Sequence, residues 1–353
     1  MQRILLAHGG GGEEMHALIN DLIFGIFDNE ILRAQNDSAI LALDSLCGRE
    51  INAQIGAQGI KTGAQTQESF AFSTDSFVVS PIEFSGGNIG KLAVCGSVND
   101  LAMVGADAQF LSCALILEEG LELEILERIL RTMKQEAQNA GVAIVCGDTK
   151  VLPRGSVDKI FINTACVGGV FSAPLNTANL KVGAKILLSG DIGKHGGVIL
   201  AHREELALQS ALKSDCACLK EVVRALLESG VRVQCMRDAT RGGIASVLNE
   251  WADFKGYELL VRQKDIAVCD EVAGICEILG FEPYELANEG TFLLAVDDKD
   301  AQRALEILQR FNPLASCIGE VVSDRAKGVI CESIYGAKRY LESPKGELLP
   351  RIC

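Results

Sequence analysis

The sequence predicts an α+β fold of two domains followed by a flexible C-terminal tail, and three observations carry that expectation. Strand-like and helix-like periods alternate in two series, over residues 68–172 and again over 173–335, with a connector near 172–183. The composition is 48% hydrophobic but only 5% aromatic, the small-residue-rich make-up of α/β and α+β enzymes. After residue 335 the periodicity stops, and Gly336, Pro344, Gly346 and Pro350 punctuate a segment better suited to a mobile arm than to a packed helix. At 353 residues the chain is long enough to bury two cores.

Taken in order, residues 4–7 read as a short strand running into His8 and the consecutive Gly9, Gly10, Gly11 and Gly12. A helix follows whose apolar positions Met15, Leu18, Ile19, Leu22, Ile23 and Ile26 keep a helical period, completing an N-terminal unit of residues 1–45. Residues 46–67 are rich in Gly, Gln and Ala, show little periodicity and read as an inserted loop, partly disordered. The first domain then runs strand 69–79, helix 89–104, strand 109–117, helix 122–140 stopped before Gly141, strand 142–146 and strand 159–170. The second runs strand 185–189, helices 196–201 and 215–228, strand 232–236, helix 242–254, strand 257–261, helix 268–279, strand 291–296, helix 300–311 and strand 316–322. Residues 336–353 form the tail, ending Pro350-Arg351-Ile352-Cys353.

The net charge of −14 argues against nucleic acid or anionic membranes as partners, because both need clustered Lys and Arg. No signal-peptide pattern opens the chain and no apolar run reaches the length of a membrane span, so a soluble, cytoplasmic protein is expected. The thirteen cysteines include no C-x-x-C pair, which removes the common zinc and iron–sulfur spacings. Most, such as Cys113 and Cys146, sit in apolar runs and read as reduced core thiols, and Cys216 with Cys218 supplies too few ligands for a metal. Cys353 stands apart, because a thiol on the terminal residue can reach into a site as a tethered substrate. Prenylation needs three residues after the cysteine and is ruled out. Arg351 would favour the thiolate and the terminal carboxylate opposes it.

Four motifs place an aspartate beside small residues at the end of an element: Ser73-Thr74-Asp75-Ser76, Val98-Asn99-Asp100, Cys146-Gly147-Asp148-Thr149-Lys150 and Arg237-Asp238-Ala239-Thr240-Arg241-Gly242-Gly243. Magnesium takes a few carboxylates together with water and phosphate oxygens, so dispersed aspartates suit it. Each alone reads more simply as a turn or cap residue. Together with His8 and four glycines, whose amides can cradle phosphate, they suggest a magnesium–nucleotide site, although the glycines alone would equally fit a flexible loop. The chain has neither G-x-x-x-x-G-K-[ST] nor a strand-to-helix G-x-G-x-x-G, so an ATP site here must belong to another architecture.

The series LAHGGGG at 6–12, FSTDSFVVSP at 72–81, GGNIGKLAVCGSVNDLA at 86–102, LSCALILEEGL at 111–121, GDTKV at 147–151, VDKIFINTA at 157–165, RDATRGG at 237–243, ANEG at 287–290 and the terminal PRIC resembles the HypE family of hydrogenase maturation factors. That family lies within the PurM-like (AIR synthase-related) ATP-binding superfamily, from which the terminal motif separates it. The resemblance implies a PurM-like two-domain fold, with an N-terminal ferredoxin-like α/β domain that forms a dimer sheet or barrel and a C-terminal α+β domain. Relatives are homodimers with the nucleotide across the contact. It further implies that HypF places a carbamoyl group on the Cys353 sulfur, that this protein uses ATP to dehydrate it to a thiocyanate, and that the cyanide passes to iron through the HypC–HypD complex.

An amide oxygen leaves poorly, and taking the γ-phosphoryl group turns it into phosphate; loss of two N–H protons then makes the nitrile. By motif match, Lys150 takes the cationic role and Glu289 that of the base. Asp75, Asp100 and Asp238 are the expected magnesium and phosphate ligands, while Asp37, in Asn36-Asp37-Ser38-Ala39, matches the relatives' acidic motif only loosely. Asp148 and Arg241 support the site from its rim, and His8 contacts phosphate from the glycine loop. The insertion is longer than the family leads one to expect. Two rival readings stay open: another PurM-like ATP-dependent enzyme acting on a small-molecule amide or phosphate acceptor, and a non-catalytic cysteine-tailed carrier. His16, His195 and His202 carry no functional signal.

Overall fold

The structure of the protein, a computed structural model, describes residues 4–27, 29–43, 69–173, 175–204, 211–345 and 351–353. The loop expected at 46–67 and Pro350 of the terminal motif lie outside the described residues. The chain opens with a 3-10 turn (Leu6–Gly9), α1 (Glu13–Ala17), a π-helical stretch (Leu18–Ile23) and α2 (Phe24–Phe27). The strand expected at 4–7 is absent, because His8 folds back so that its Nδ1 meets the Leu5 main chain and no neighbouring strand pairs there.

β1 (Ala39–Ala42), β2 (Ser69–Phe77), β5 (Ala106–Glu118), β6 (Ala143–Leu152) and β7 (Ile160–Val170) form a sheet in the order β1-β2-β7-β5-β6; β3 (Glu83–Phe84) and β4 (Gly87–Asn88) make a small hairpin. Among the described strands of this sheet only β5 and β6 pair in parallel. On β2 and β7, alternate residues Ala71, Phe77, Ile160, Ile162 and Cys166 point into one core, as a half-covered sheet requires. They meet α3 (Ile89–Met103) and α4 (Leu123–Ala140). The α3 sequence is apolar around almost its whole circumference, and almost all of it is buried. Asn88 caps it by accepting from the amides of Gly90 and Lys91, and Gly90 lets α4 approach, since a Cβ there would stand 2.6 Å from the Ile129 carbonyl oxygen. Among the described residues nothing covers the opposite sheet face: Phe72, Val167 and Phe110 lie abreast across three strands, with Phe72 40% and Phe110 50% exposed.

The second sheet comprises β8 (Lys185–Leu188), β9 (Val233–Asp238), β10 (Glu258–Arg262), β11 (Phe292–Val296), β12 (Ser316–Ser323), β13 (Gly328–Glu332) and β14 (Lys338–Tyr340), ordered β14-β13-β10-β12-β8-β11-β9. Its central strands read as unbroken apolar runs because both faces are buried. Ile186, Leu188, Leu293 and Ala295 join one core with α7 (Gly243–Lys255), whereas Leu187, Leu294 and Val296 join another with α6 (Lys220–Glu228) and α9 (Ala301–Phe311). α5 (Lys194–Arg203) and α8 (Asp270–Leu279) pack together at one end.

Four further differences from the sequence reading have local causes. β1 and the β3–β4 hairpin are too short and polar-flanked to announce themselves. β6 runs on through Gly147, Asp148, Thr149 and Lys150 instead of turning, because Gly147 admits the neighbouring strand: a Cβ there would lie 2.2 Å from the Cys113 carbonyl oxygen. The helix expected from 215 starts only at Lys220, since Asp215 accepts from the amides of Glu289 and Gly290 and Asn99 accepts from the Leu219 amide. The segment read as an arm begins with β14, paired to β13, and Leu341 is buried in the adjoining core.

Candidate active site

Where β2 and α3 face the loops after β9 and before β11, a cavity of about 320 Å³ opens, closed on one side by the N-terminal helical segment. Asp37, Asp75, Asp100, Asp238, Arg241, Glu289, Gly11 and Cys353 all line it. Small residues make this convergence possible. Gly96 lets α3 lie against β2, with a virtual Cβ 3.0 Å from the Phe77 ring and 3.6 Å from Asp75 Oδ2. Gly11 has φ +78° and touches the Arg241 main chain, joining the glycine run to the RDATRGG loop. In the ANEG loop, Asn288 is fully buried, accepts from the Gly193 amide and donates to the Ala239 and Leu286 carbonyls. Gly290 follows because a Cβ would sit 1.9 Å from the Asp215 carbonyl oxygen. The loop so anchored carries Glu289, 4% exposed, with its Oε1 buried and without a hydrogen-bond partner.

The cavity wall is short of positive charge. Burial pushes Asp238 up to about 8, reinforced by Asp37, and pushes Asp100 well above its ordinary value, reinforced by Asp238, Asp75 and Asp37. Asp75 is raised by burial and partly relieved by Arg241; Asp37 is raised to about 6 by burial against the opposing pull of Arg237. Glu289 is held well above the usual carboxylate range by burial and by Asp215. Arg237 pairs with Asp37 at 2.8 Å and with Glu250 at 3.3 Å, and Ser73 donates to Asp100 at 2.5 Å. Buried carboxylates that repel one another are a donor set suited to a hard divalent cation. Among the described residues no three such side chains are gathered closely enough to hold an ion unaided, so phosphate oxygens and water would complete its shell.

The carboxy terminus reaches this cavity along a defined track. The Val78 amide donates to a main-chain carboxylate oxygen of Cys353 at 2.8 Å, the Ser80 amide to the Arg351 carbonyl oxygen at 3.2 Å, and Ile352 is buried in the first-domain core. The sequence set Arg351 against the terminal carboxylate without fixing the reactivity of the thiol, and the structure takes Arg351 out of that balance. Its guanidinium turns away to Asp158 at 2.7 Å and to the Val78 carbonyl, over the Phe161 ring. Arg241 is the cation that faces Cys353, yet burial and the carboxylates outweigh it and push the thiol up to about 12.

Other expected residues lie elsewhere. His8 Nδ1 meets the Leu5 main chain of its own turn, and neither it nor Gly9, Gly10 or Gly12 is among the described residues that line the cavity; Gly12 packs on Pro344 instead. Asp148 and Lys150 pair with each other at 2.9 Å on the β6 edge, with side chains 62% and 68% exposed. Conversely, the cavity includes His16, Arg237, Ser246 and Glu250, which the sequence reading passed over or treated as motif filler. His16 and Glu250 approach at 3.4 Å across more than two hundred residues of chain, so no local spacing could have paired them.

The sequence matches the family described as AIR synthase related protein, N-terminal domain, over residues 56–170, and its C-terminal domain counterpart over 181–332. It is 44% identical to carbamoyl dehydratase HypE of Escherichia coli (strain K12), with all of both chains covered. A crystal structure of a HypE–HypF complex superposes with a TM-score of 0.82 at 38% identity, covering 93% of this chain and 100% of that one. A hydrogenase maturation protein HypE solved in complex with ATP gives 0.78 at 39%, covering 99% and 100%. With the two-domain fold and full-length identity of this order, the chain belongs to the HypE family of carbamoyl dehydratases of hydrogenase maturation.

Proposed function

We propose that this dehydratase works on a carbamoyl group carried by its own terminal Cys353, converting it to a thiocyanate in the cavity described above. The single observation that carries the reading is the position of that terminal residue, in one cavity with Glu289, Arg241 and the acidic wall. ATP, bound in the solved relative, is assigned to the same cavity, and when bound it supplies the phosphoryl group that makes the amide oxygen a leaving group. Asp75, Asp100 and Asp238, with Asp37 beside them, would hold magnesium and orient phosphates.

Arg241 faces the carbamoyl oxygen as charge builds there. Glu289, made more basic than a solvated carboxylate by its burial, accepts an amide proton; the C–O bond then breaks with phosphate leaving, and loss of the second N–H proton completes the C≡N bond. The docked thiol is protonated and shielded, so it must swing out to receive the carbamoyl group and back in to lose water. HypF, found in complex with a solved relative, is the proposed donor, and a HypC–HypD complex the acceptor of the cyanide.

A homodimer completes the site in this reading. Lys150 sits on an exposed edge strand beside an uncovered apolar face, and a second copy covering that face would bring it to a cavity. No described helix is long and apolar enough to cross a membrane, and we place the reaction in the cytoplasm.

The test is intact mass after incubation with HypF, carbamoyl phosphate and magnesium–ATP, for the native chain and Cys353→Ala. A carbamoyl-sized gain that becomes a cyano-sized gain only with ATP, and only with Cys353, is expected. ATP hydrolysis with no adduct on Cys353 would return the protein to the wider superfamily reading.

A further inference from the structure

Resting on that reading, we infer that His195 is a positioning residue with two duties: it latches the docked carboxy terminus, and it ties that docking to the loop that presents Glu289. The ring is fully buried on α5, edge-on to Phe84 at 5.3 Å and 81°. Both ring nitrogens are engaged. Nε2 lies 2.7 Å from the Ile352 carbonyl oxygen and Nδ1 lies 2.8 Å from Ser214 Oγ. A carbonyl only accepts, so Nε2 carries the proton, and a neutral ring then leaves Nδ1 to accept from the Ser214 hydroxyl. Burial pushes His195 down to about 4, which keeps it neutral at ordinary pH.

Ser214 in turn accepts from the Cys216 amide at 3.1 Å. Between them, Asp215 accepts from the Glu289 and Gly290 amides, and the Ala217 amide donates to the Glu289 carbonyl at 3.2 Å. The docked terminus is thus connected through one imidazole to the segment 214–217 that braces Glu289. Arg203, one helical face further along α5, donates to the carbonyls of Ser80 and Arg351, and Asp158 holds the Arg351 guanidinium. Apart from the Arg351 guanidinium and the buried Ile352 side chain the receptor reads main-chain oxygens, none of them on the Cys353 sulfur, so it holds the terminus whether or not that sulfur is modified. That suits a substrate that must return to the same place carrying different groups.

Two substitutions at one position separate the duties. His195→Asn keeps an acceptor near Nδ1 and removes the donor to Ile352; His195→Gln keeps a donor near Nε2 and removes the acceptor for Ser214. Asp158→Asn, on the surface, loosens the arm without disturbing the core. The readouts on the full-length protein are the alkylation rate of Cys353 relative to the same chain unfolded in urea, carbamoylation by HypF with carbamoyl phosphate, and single-turnover conversion with magnesium–ATP. His195→Asn is expected to raise Cys353 alkylation about tenfold, the loss of one buried hydrogen bond, and to slow conversion by a similar factor while carbamoylation is unchanged or faster. Asp158→Asn gives the same split at about threefold. His195→Gln leaves alkylation near the native rate but slows conversion.

Unchanged alkylation in both His195→Asn and Asp158→Asn overturns the latch, and a parallel fall of carbamoylation and conversion reduces His195 to a structural residue. Alkylation needs no carbamoyl chemistry. A native chain that takes up no carbamoyl group therefore defeats the functional reading, while the alkylation rates still decide the latch.

Discussion

The acidic cavity wall and the edge strand β6 carry the same kind of motif, an aspartate among small residues, and fold into opposite environments. Asp238 is 8% exposed and shares its desolvated surroundings with Asp37, Asp75 and Asp100, whereas Asp148 and Lys150 stand in water on β6, paired only with each other. Pairing with Lys150 holds Asp148 below its ordinary range, while burial holds Asp238 far above it. The cavity wall carries more carboxylates than its Arg237 and Arg241 can balance, while the β6 edge leaves a lysine in solvent away from that wall. A single chain brings together Glu289, the Cys353 thiol and the carboxylates, but not Lys150.

The strongest way to break this comparison is to ask whether the two regions act across copies. Lys150→Ala should leave thermal stability unchanged and lower single-turnover dehydration by about a hundredfold or more, as loss of a transition-state charge partner does. Mixing it with Glu289→Gln should restore about a quarter of native turnover, because random pairing leaves one intact site in half of the dimers. Absence of any restored turnover would place Lys150 and Glu289 in the same chain's site.

A next test addresses the wall alone. In the metal-free protein, the Asp238 proton is held up to about 8 against an ordinary 3.8, so its stabilising share is fully present below the ordinary value and is lost as pH climbs toward 8. The metal-free melting temperature should therefore decline over that window. The stabilisation by magnesium–ATP should grow with pH, and Asp238→Asn should flatten both trends while lowering turnover about a hundredfold. A rise of metal-free stability between pH 5 and 8 would contradict the charge-poor wall.

Gly290→Ala probes the backbone that presents Glu289. A Cβ at 1.9 Å from the Asp215 carbonyl oxygen forces the two loops apart, for an expected loss of about 1–3 kcal/mol in chemical denaturation together with reduced turnover. A second substitution on the edge, Val145→Lys at a residue 58% exposed, should change chain stability by no more than about 0.5 kcal/mol. Sedimentation should nevertheless show the proposed dimer weakened, and self-association of native strength would count against an interface on this edge.

Elements with a strong pattern were legible in the sequence: α4, α7 and α9 by their helical period, and α3, β8 and β11 by unbroken apolar runs, because burial selects the residues those patterns mark. Short elements were not. β1, β13 and β14 owe their existence to a neighbouring strand, and the 214–219 segment stays out of a helix because its polar groups are used by α3 and by the loop before β11. The site divided in the same way. Motif chemistry pointed to Asp75, Asp100, Asp238, Glu289 and Cys353, all of which meet in the cavity, and equally to His8, Asp148 and Lys150, which do not.

The sequence by itself determined the fold class, the family and the chemical kinds of residue available, since these rest on composition, period and motif. Tertiary structure alone decided which of those residues share a space. It turned Arg351 from the thiol and put Arg241 in its place, paired His16 with Glu250, and gave the silent His195 the terminal carbonyl to hold. The reason is physical: hydrogen bonds and ion pairs act over a few ångströms of space, and the packing of two cores, not distance along the chain, sets that separation.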